Sequence, residues 1–531
     1  SHKKLQVVIC VLLVELCERF TFFGIVCNMI LFCTVKLGYD NNLAATINLC
    51  FIGASTLTPV FVGWVAETCL GRTKVLYLCS FLHFFTAMLP VVAFPFEDFY
   101  IDTHHMTHKL DPMEQQIFFY MGLLAVALGI GGIRAILCPM GAYSLQSYNQ
   151  HQLLSFFNFY WLVNLSSTVV FLGIAYIQQS VAQNLGFLIP FTSVLLALIA
   201  IHMMRNKLTY KPKRGSLLTT LGVFLNSFKL CCLRHHHLSG HVVSWLDRAK
   251  ENNGGRYSET HVENVKVLVK LFPLYGLQLL YRVCITQIPS GYYIQTMNSN
   301  LHLNDLLLPI GAMNVISILP LLLLAPVMEF VATYFLSLER TPPAPARVIL
   351  GHACAAMSVL VAGLVEIHRK AYPLVEQTLS GKVLHVSSMP CFQLAPQYIL
   401  LGVAEALVTP ACLISFQLIP SHIRGISLHF LTLSYGGGCL LGAFIIQLVY
   451  FCSGNFYPNS LHEGNLEKFF FLLASLMTIN TFLFWRISYY MDLSVQGKPM
   501  SSSSLSEKLL HYKATLRFYD TIEHFSTDSV L

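Results

Sequence analysis

Glu15-Leu16-Cys17-Glu18-Arg19-Phe20-Thr21-Phe22-Phe23-Gly24 sets three ionisable side chains inside an apolar run from Leu5 to about Cys33. Roughly 20 apolar residues, each rising about 1.5 Å, are enough to cross a bilayer, so this run can span one. A charge at the middle of a spanning helix costs about 2.5–3.5 kcal/mol on insertion scales, and such groups persist mainly where they face a wet, protein-lined interior. Glu15 and Glu18 are three apart and Glu15 and Arg19 four apart, which puts all three on one helical face. Two readings follow. One is a charge-neutralised knot that fixes helix orientation; the other, which the insertion cost favours, is a site that handles protons and a polar substrate.

The composition agrees with a membrane chain. Of 531 residues, 55% are hydrophobic and only 11% charged, against about 25% charged in soluble proteins. The net charge of +7 sits in short connections and needs no nucleic acid to explain it. Most of the 16 cysteines fall inside apolar runs, where they act as small hydrophobes, and no disulfide framework is readable. The first segment is too long and too charged at its centre for a signal peptide.

Twelve spans are expected, near 5–33, 43–66, 74–96, 115–142, 153–178 and 186–204, then 266–297, 307–336, 347–368, 394–420, 425–452 and 467–490. The predicted fold class is an all-α membrane protein of two six-helix bundles: residues 1–204, a linker at 205–264, residues 265–490, and a polar tail at 491–531. Lys3, Lys4, Arg72, Lys74, Arg205, Lys211 and Arg214 crowd one side of the membrane and Lys36, Lys109 and Lys382 thinly populate the other. The positive-inside rule then places both termini and the linker in the cytosol. Two similar halves around a central site suggest rocking between them.

In the linker, Cys231, Cys232, His235, His236, His237 and His241 match no structural zinc spacing. They read as a solvated juxtamembrane segment, with metal binding or palmitoylation as weaker alternatives. His104, His105 and His108 lie in an outer loop that could titrate near pH 6.5. Asn164-Leu165-Ser166 has the form of a glycan acceptor but falls inside a span. The tail holds the run Ser501–Ser504. It also holds a sorting-type stretch, Tyr519-Asp520-Thr521-Ile522, and a terminal Ser529-Val530-Leu531 suited to carboxylate capture by a cytosolic partner.

Beyond the first span, charged or polar groups stand out at Arg134 in the fourth, after Gly129-Ile130-Gly131-Gly132-Ile133, and at Glu405 in the tenth. Asn314 lies in the eighth span and Gln287 with Tyr292 in the seventh. Arg19 and Arg134 offer a cationic pole, Glu405 and Asn314 an anionic and polar one. Facing one cavity, they suit a zwitterion, with its carboxylate gripped by arginine and its ammonium on Glu405. A gating salt bridge or a packing role is the alternative for Arg134 and Glu405, and helix joining for Asn314 and Gln287. No nucleophile–base pair or metal-ligand spacing points to an enzyme.

Glu15-x-x-Glu18-Arg19-Phe20 resembles the first-helix signature of the proton-coupled oligopeptide transporters of the major facilitator superfamily. Further motifs agree in order: Gly63 to Arg72 between the second and third helices, Phe156 to Ser166 in the fifth, and Pro396-Gln397-Tyr398 ahead of Glu405. Ile177-Gln178-Gln179 and Gln287-Ile288-Pro289-Ser290 are most similar to the peptide/histidine branch. The resemblance implies alternating access and symport of protons with di- or tripeptides or histidine, with no cofactor, in the plasma or an endolysosomal membrane. It assigns proton coupling to Glu15, Glu18 and Arg19, and substrate contact to Arg19, Arg134 and Glu405.

Departures from the family pattern bear on that expectation. Phe22 and Phe23 replace paired tyrosines. Arg134 replaces a lysine and cannot deprotonate. Gln287 replaces an acid, and Glu67 stands where aspartate is usual. They support an alternative expectation, a transport-deficient sensor or scaffold acting through its linker or tail.

Overall fold

The computed structural model describes residues 2–86, 111–146, 167–181, 188–204, 216–233, 244–324, 344–417 and 421–496. The loop histidines, the Phe156 to Ser166 motif, His235–His237 and His241, and the tail motifs lie outside these residues. The helices are α1 His2–Leu31, α2 Asn41–Val65, α3 Arg72–Thr86, α4 Pro112–Gln146 and α5 Leu188–Met204. There follow α6 Ser216–Leu233, α7 Glu259–Ile285, α8 Ile310–Leu324, α9 Ala344–Lys370, α10 Ala395–Gln417, α11 Ser421–Cys452 and α12 Leu466–Gln496. Among the described residues, eight helices are long and apolar enough to cross a membrane.

The boundaries follow local chemistry. Pro112 opens α4, where a missing N–H is harmless, and Glu114 follows in its first turn near the positive helix end. At the other pole, α9 closes on Arg369 and Lys370, cations that suit the negative C-terminus. Asp40 precedes α2 in an extended conformation. Pro289 interrupts the seventh span, which passes through a π-helical turn, Ile288–Tyr292, before a last helical turn at Tyr293–Met297. That turn matters below, because a π-turn releases backbone carbonyls from the regular ladder.

Two features depart from the expected map. The connection 205–264 is not simply polar: it contains α6, and α7 starts at Glu259 rather than near residue 266. Between them, residues 244–258 make a tight fold in which Asp247 accepts from the backbone N–H of Ser244 at 3.0 Å and pairs with Lys250 at 3.0 Å and with Lys266. Partial burial pushes the Asp247 carboxyl up, but Lys266 and Lys250 outweigh it and leave the group below its usual range. Glu263 first, then Asp247, hold the Lys250 ammonium well above its usual value. The second departure is an antiparallel hairpin, Leu374–Leu379 with Lys382–Ser387, between α9 and α10.

Inside lipid, apolar contact between helices gains little, so close packing and polar bonds must hold them. The glycines singled out in the fourth span do this. A Cβ at Gly131 would collide with Thr58 and one at Gly132 with Cys79, so α4 reaches α2 and α3 only without side chains there. α2 also packs along α11, where Gly53 faces Gly436 and Cys439.

Candidate functional site

Glu18 is the centre of the first-span cluster. It is 4% exposed, and its Oε1 lies 3.2 Å from Arg134 Nε and 3.6 Å from Arg19 Nη2. One carboxylate from α1 is thus held between guanidiniums of α1 and α4. The Glu15 side chain lies outside the described ones. The Arg19 guanidinium sits over the Phe22 ring at 5.8 Å, and Phe22 stacks in turn on Phe51 of α2 at 6.1 Å. Phe23 meets Phe171 edge-on at 5.1 Å. The two phenylalanines therefore build an apolar wall beside the ion cluster, where hydroxyls would have made a polar one.

On the other half, Glu405 of α10 lies 3.9 Å from Arg282 of α7, with both side chains partly exposed. Arg282 is also stacked over Tyr435 of α11 at 4.9 Å. Its stem occupies the space above Gly438, where a Cβ would press on the Arg282 side chain. Arg282 was not among the predicted site residues, although it is a charge inside the seventh span and the rule that singles out Arg134 applies to it equally. Asn314 of α8 donates to the Tyr293 hydroxyl, so it ties α8 to the end of the seventh span.

Gln287 and Tyr292 are placed differently from the expectation that they line a cavity. Both are fully buried. Gln287 Nε2 turns back to its own helix, donating to the Val283 carbonyl at 3.2 Å. The Tyr292 hydroxyl bonds to Ser358 of α9 at 2.8 Å, and its ring packs between Tyr398 and Phe470. Their surroundings are the interior of the C-terminal helices, because amide and phenol groups in a span find partners on neighbouring helices.

A second buried ion pair lies at the end of α9. Glu366 and Arg369 of α9 are 0% and 1% exposed and make two bonds, at 2.9 and 2.7 Å. Gln295 donates to Glu366 at 2.9 Å, Gln397 of α10 donates to Gln295 at 2.9 Å, and Arg369 donates to the Asn298 carbonyl at 3.1 Å. This network ties the seventh, ninth and tenth spans at one end.

The two halves are joined on the side remote from the 205–264 connection. Asn41 Nδ2 donates to the Pro458 carbonyl at 3.1 Å, Asn459 donates to Asp40 at 2.8 Å, and Gln447 donates to Thr46 at 2.7 Å. Gln179 donates to the Leu308 carbonyl and accepts from the Ile310 N–H, each at 3.1 Å. Asn48 donates to the Pro289 carbonyl at 2.7 Å, an acceptor within the π-helical turn. The two motifs that favoured one branch of the resembled family are therefore clamps between the halves.

The comparisons with known proteins agree with this architecture. The family model described as "PTR2: POT family" matches residues 88–459. The chain is 55% identical to human solute carrier family 15 member 5, over 99% of this chain and 92% of that one. It is 25% identical to mouse solute carrier family 15 member 3, covering 93% of each. Among solved structures, an auto-inhibited POT family peptide transporter matches with a TM-score of 0.67 at 17% identity, over 91% of this chain and 96% of that one. A POT family transporter in complex with 5-aminolevulinic acid matches with 0.64 at 14%, again over 91% and 96%. The fold is the two-bundle helical arrangement of the major facilitator superfamily.

Proposed function

Because the chain belongs to the POT family, we propose that it is a proton-coupled symporter of small zwitterions, di- or tripeptides or histidine, working by alternating access. We further infer that both termini and the 205–264 linker are cytosolic, with residues 1–204 and 265–490 as the two rocking halves. The observation that carries the reading is the buried Glu18 carboxylate between Arg134 and Arg19. Such an arrangement couples a proton to an anion by simple charge balance. With Glu18 ionised, the two guanidiniums are engaged. A proton arriving on Glu18 removes its charge, and Arg134 and Arg19 are left to attract the substrate carboxylate through charge-assisted bonds. Arg134 cannot itself carry the proton, so the carboxylate must.

Glu405 would receive the substrate ammonium, and here it already carries Arg282 at 3.9 Å. Entry of an ammonium would then loosen Arg282 from Glu405, which makes this pair a second responsive link. Closure by Asn41, Asn459, Gln179 and Asn48 on the outer side fits a carrier caught open toward the cytosol. Uptake of labelled dipeptide and histidine into proteoliposomes under an imposed pH gradient tests the proposal. Accumulation that needs the gradient supports it, and its absence from every substrate tried counts against it.

A second reading is favoured by specific placements. Gln287 is turned into its own helix, the Arg134 guanidinium stays protonated throughout the working range, and Phe22 and Phe23 offer no hydroxyls. A binding protein that senses a solute and signals through its linker or tail has these features. Saturable binding without flux would select it.

A further inference from the structure

α6 is amphipathic in a way its neighbours do not use up. One face is pinned to the linker fold and to α7: Val223 and Ser227 are fully buried, and Ser227 Oγ donates to the Leu246 carbonyl at 3.4 Å. The opposite face carries Leu221, Leu225 and Phe228, which are 51%, 61% and 66% exposed. The spacing 221, 225, 228, 232 is four, three, four, so Cys232 continues that stripe, and both Cys231 and Cys232 are exposed free thiols at the helix end.

Two contacts fix the depth of this helix. Phe224, at its middle, stacks on Phe272 of α7 at 6.1 Å, and Phe272 packs on Phe430 of α11 at 5.2 Å. Phe430 is the tenth residue of α11, six residues past Arg424. The middle of α6 therefore lies beside the ends of α7 and α11 that adjoin the 205–264 connection, near where their apolar runs begin. Beside that stack an apolar crevice between α7 and α11 is lined by Phe272, Tyr275, Leu279, Phe430 and Leu433. The flanks are basic: Lys211, Lys213 and Arg214 before the helix, Lys229 on it, and Arg234 just after it. Such charges suit the anionic inner leaflet, and a lysine beside an apolar stripe can extend its ammonium to the headgroups.

We propose that α6 lies in the inner-leaflet interface with Leu221, Leu225 and Phe228 in the lipid, and that Cys231 and Cys232 are S-acylated there. The co-reactant is a long-chain acyl thioester. The cysteine sulfur attacks its carbonyl carbon, a new thioester bond forms, the bond to the original thiol breaks, and the cysteine proton ends on the departing thiol with no change of oxidation state. An amphipathic helix alone or one acyl chain alone gives marginal attachment; together they hold firmly. Held in this way, α6 would anchor the linker, and through Phe224 the cytosolic end of α7, to the membrane plane. The inference rests on the cytosolic placement of the linker and not on transport, so a chain that proves to carry no solute leaves it standing.

The experiment uses the full-length chain expressed in eukaryotic cells. Free thiols are blocked, thioesters are cleaved with hydroxylamine, and the thiols so released are given a mass tag. The wild type should show bands with one and two tags that require hydroxylamine, and Cys231→Ser/Cys232→Ser should lose them. Leu225→Glu/Phe228→Glu keeps both cysteines and should lose most of the tag while still eluting as a single monodisperse peak. If that variant aggregates, Leu225→Ser/Phe228→Ser takes its place with the same expectation. Ending the chain after Gln496 should leave the tag unchanged. No hydroxylamine-dependent tag in the wild type, or tags that survive in the double serine variant, would overturn the acylation. Full tagging of the stripe variant, or a rise on removing the tail, would overturn the lipid placement, the latter by showing the tail as the stripe's cover.

Discussion

Replacing Glu366 by Gln should strip a buried guanidinium of its counter-charge while changing the side-chain volume very little. Arg369 is 1% exposed and donates two of its bonds to Glu366, so water cannot substitute. Breaking one side of a buried pair typically costs about 3–5 kcal/mol, most of it the stranded charge. The retained bond from Arg369 to the Asn298 carbonyl at 3.1 Å argues for the lower end. At about 2–4 °C per kcal/mol for a unit of this size, the thermal midpoint should fall by roughly 10 °C. The double variant Glu366→Met/Arg369→Met removes both charges and should cost less than either single change, since apolar pairs often replace buried ion pairs at little loss. Thermal unfolding of purified protein in detergent, followed by loss of the monodisperse peak, reads both. A double variant at least as unstable as Glu366→Gln would refute the reasoning, because the pair would then contribute net stability instead of guarding against its own separation.

Three further outcomes are expected. Asn48→Ala removes the cross-half bond to the Pro289 carbonyl. At about 1 kcal/mol for such a bond, the outward-open population should rise roughly fivefold, read as faster labelling of an outer-vestibule cysteine. Glu405→Gln should weaken uptake of a free-amine dipeptide and leave that of its N-acetylated analogue little changed, measured as the ratio of the two rates. Asp247 has a lowered pKa, so its contribution is complete above the unfolded aspartate value near 3.9 and is lost only as pH falls through the lower folded value. Amide-exchange protection across 244–258 should therefore hold between about pH 7.5 and about pH 5, whereas Asp247→Asn should lose roughly tenfold at both.

How far the sequence could be read depended on how local the signal was. The all-helical membrane fold and the Glu18–Arg19 face follow from apolar length and helical spacing, both properties of neighbouring residues. Gly131 and Gly132 announced a close helix approach because only a missing Cβ allows one, and α2 and α3 are the helices that approach. Partner choice is another matter. Arg282 and Glu405 are far apart in sequence and meet because α7 and α10 both pack against α9 and α11, and nothing in either span names the other. Gln287 and Tyr292 sit on a span whose faces cannot be sorted by hydropathy, since lipid and helix interior are both apolar. The clamps of Gln179 and Asn48 depend on carbonyls freed at the turns around Leu308 and Pro289, which a side-chain pattern does not show. Arg282 and Glu366 differ, because each is a charge inside an apolar run and so carries the same sequence signal as Arg134.

The decisive measurement is concentrative uptake of a labelled dipeptide into proteoliposomes under an imposed inward proton gradient, wild type beside Glu18→Gln. The wild type should accumulate substrate above the external concentration. Glu18→Gln, without a carboxylate between Arg134 and Arg19, should equilibrate its substrate and go no further. Accumulation by Glu18→Gln that matches the wild type would remove Glu18 from the proton path and contradict the mechanism.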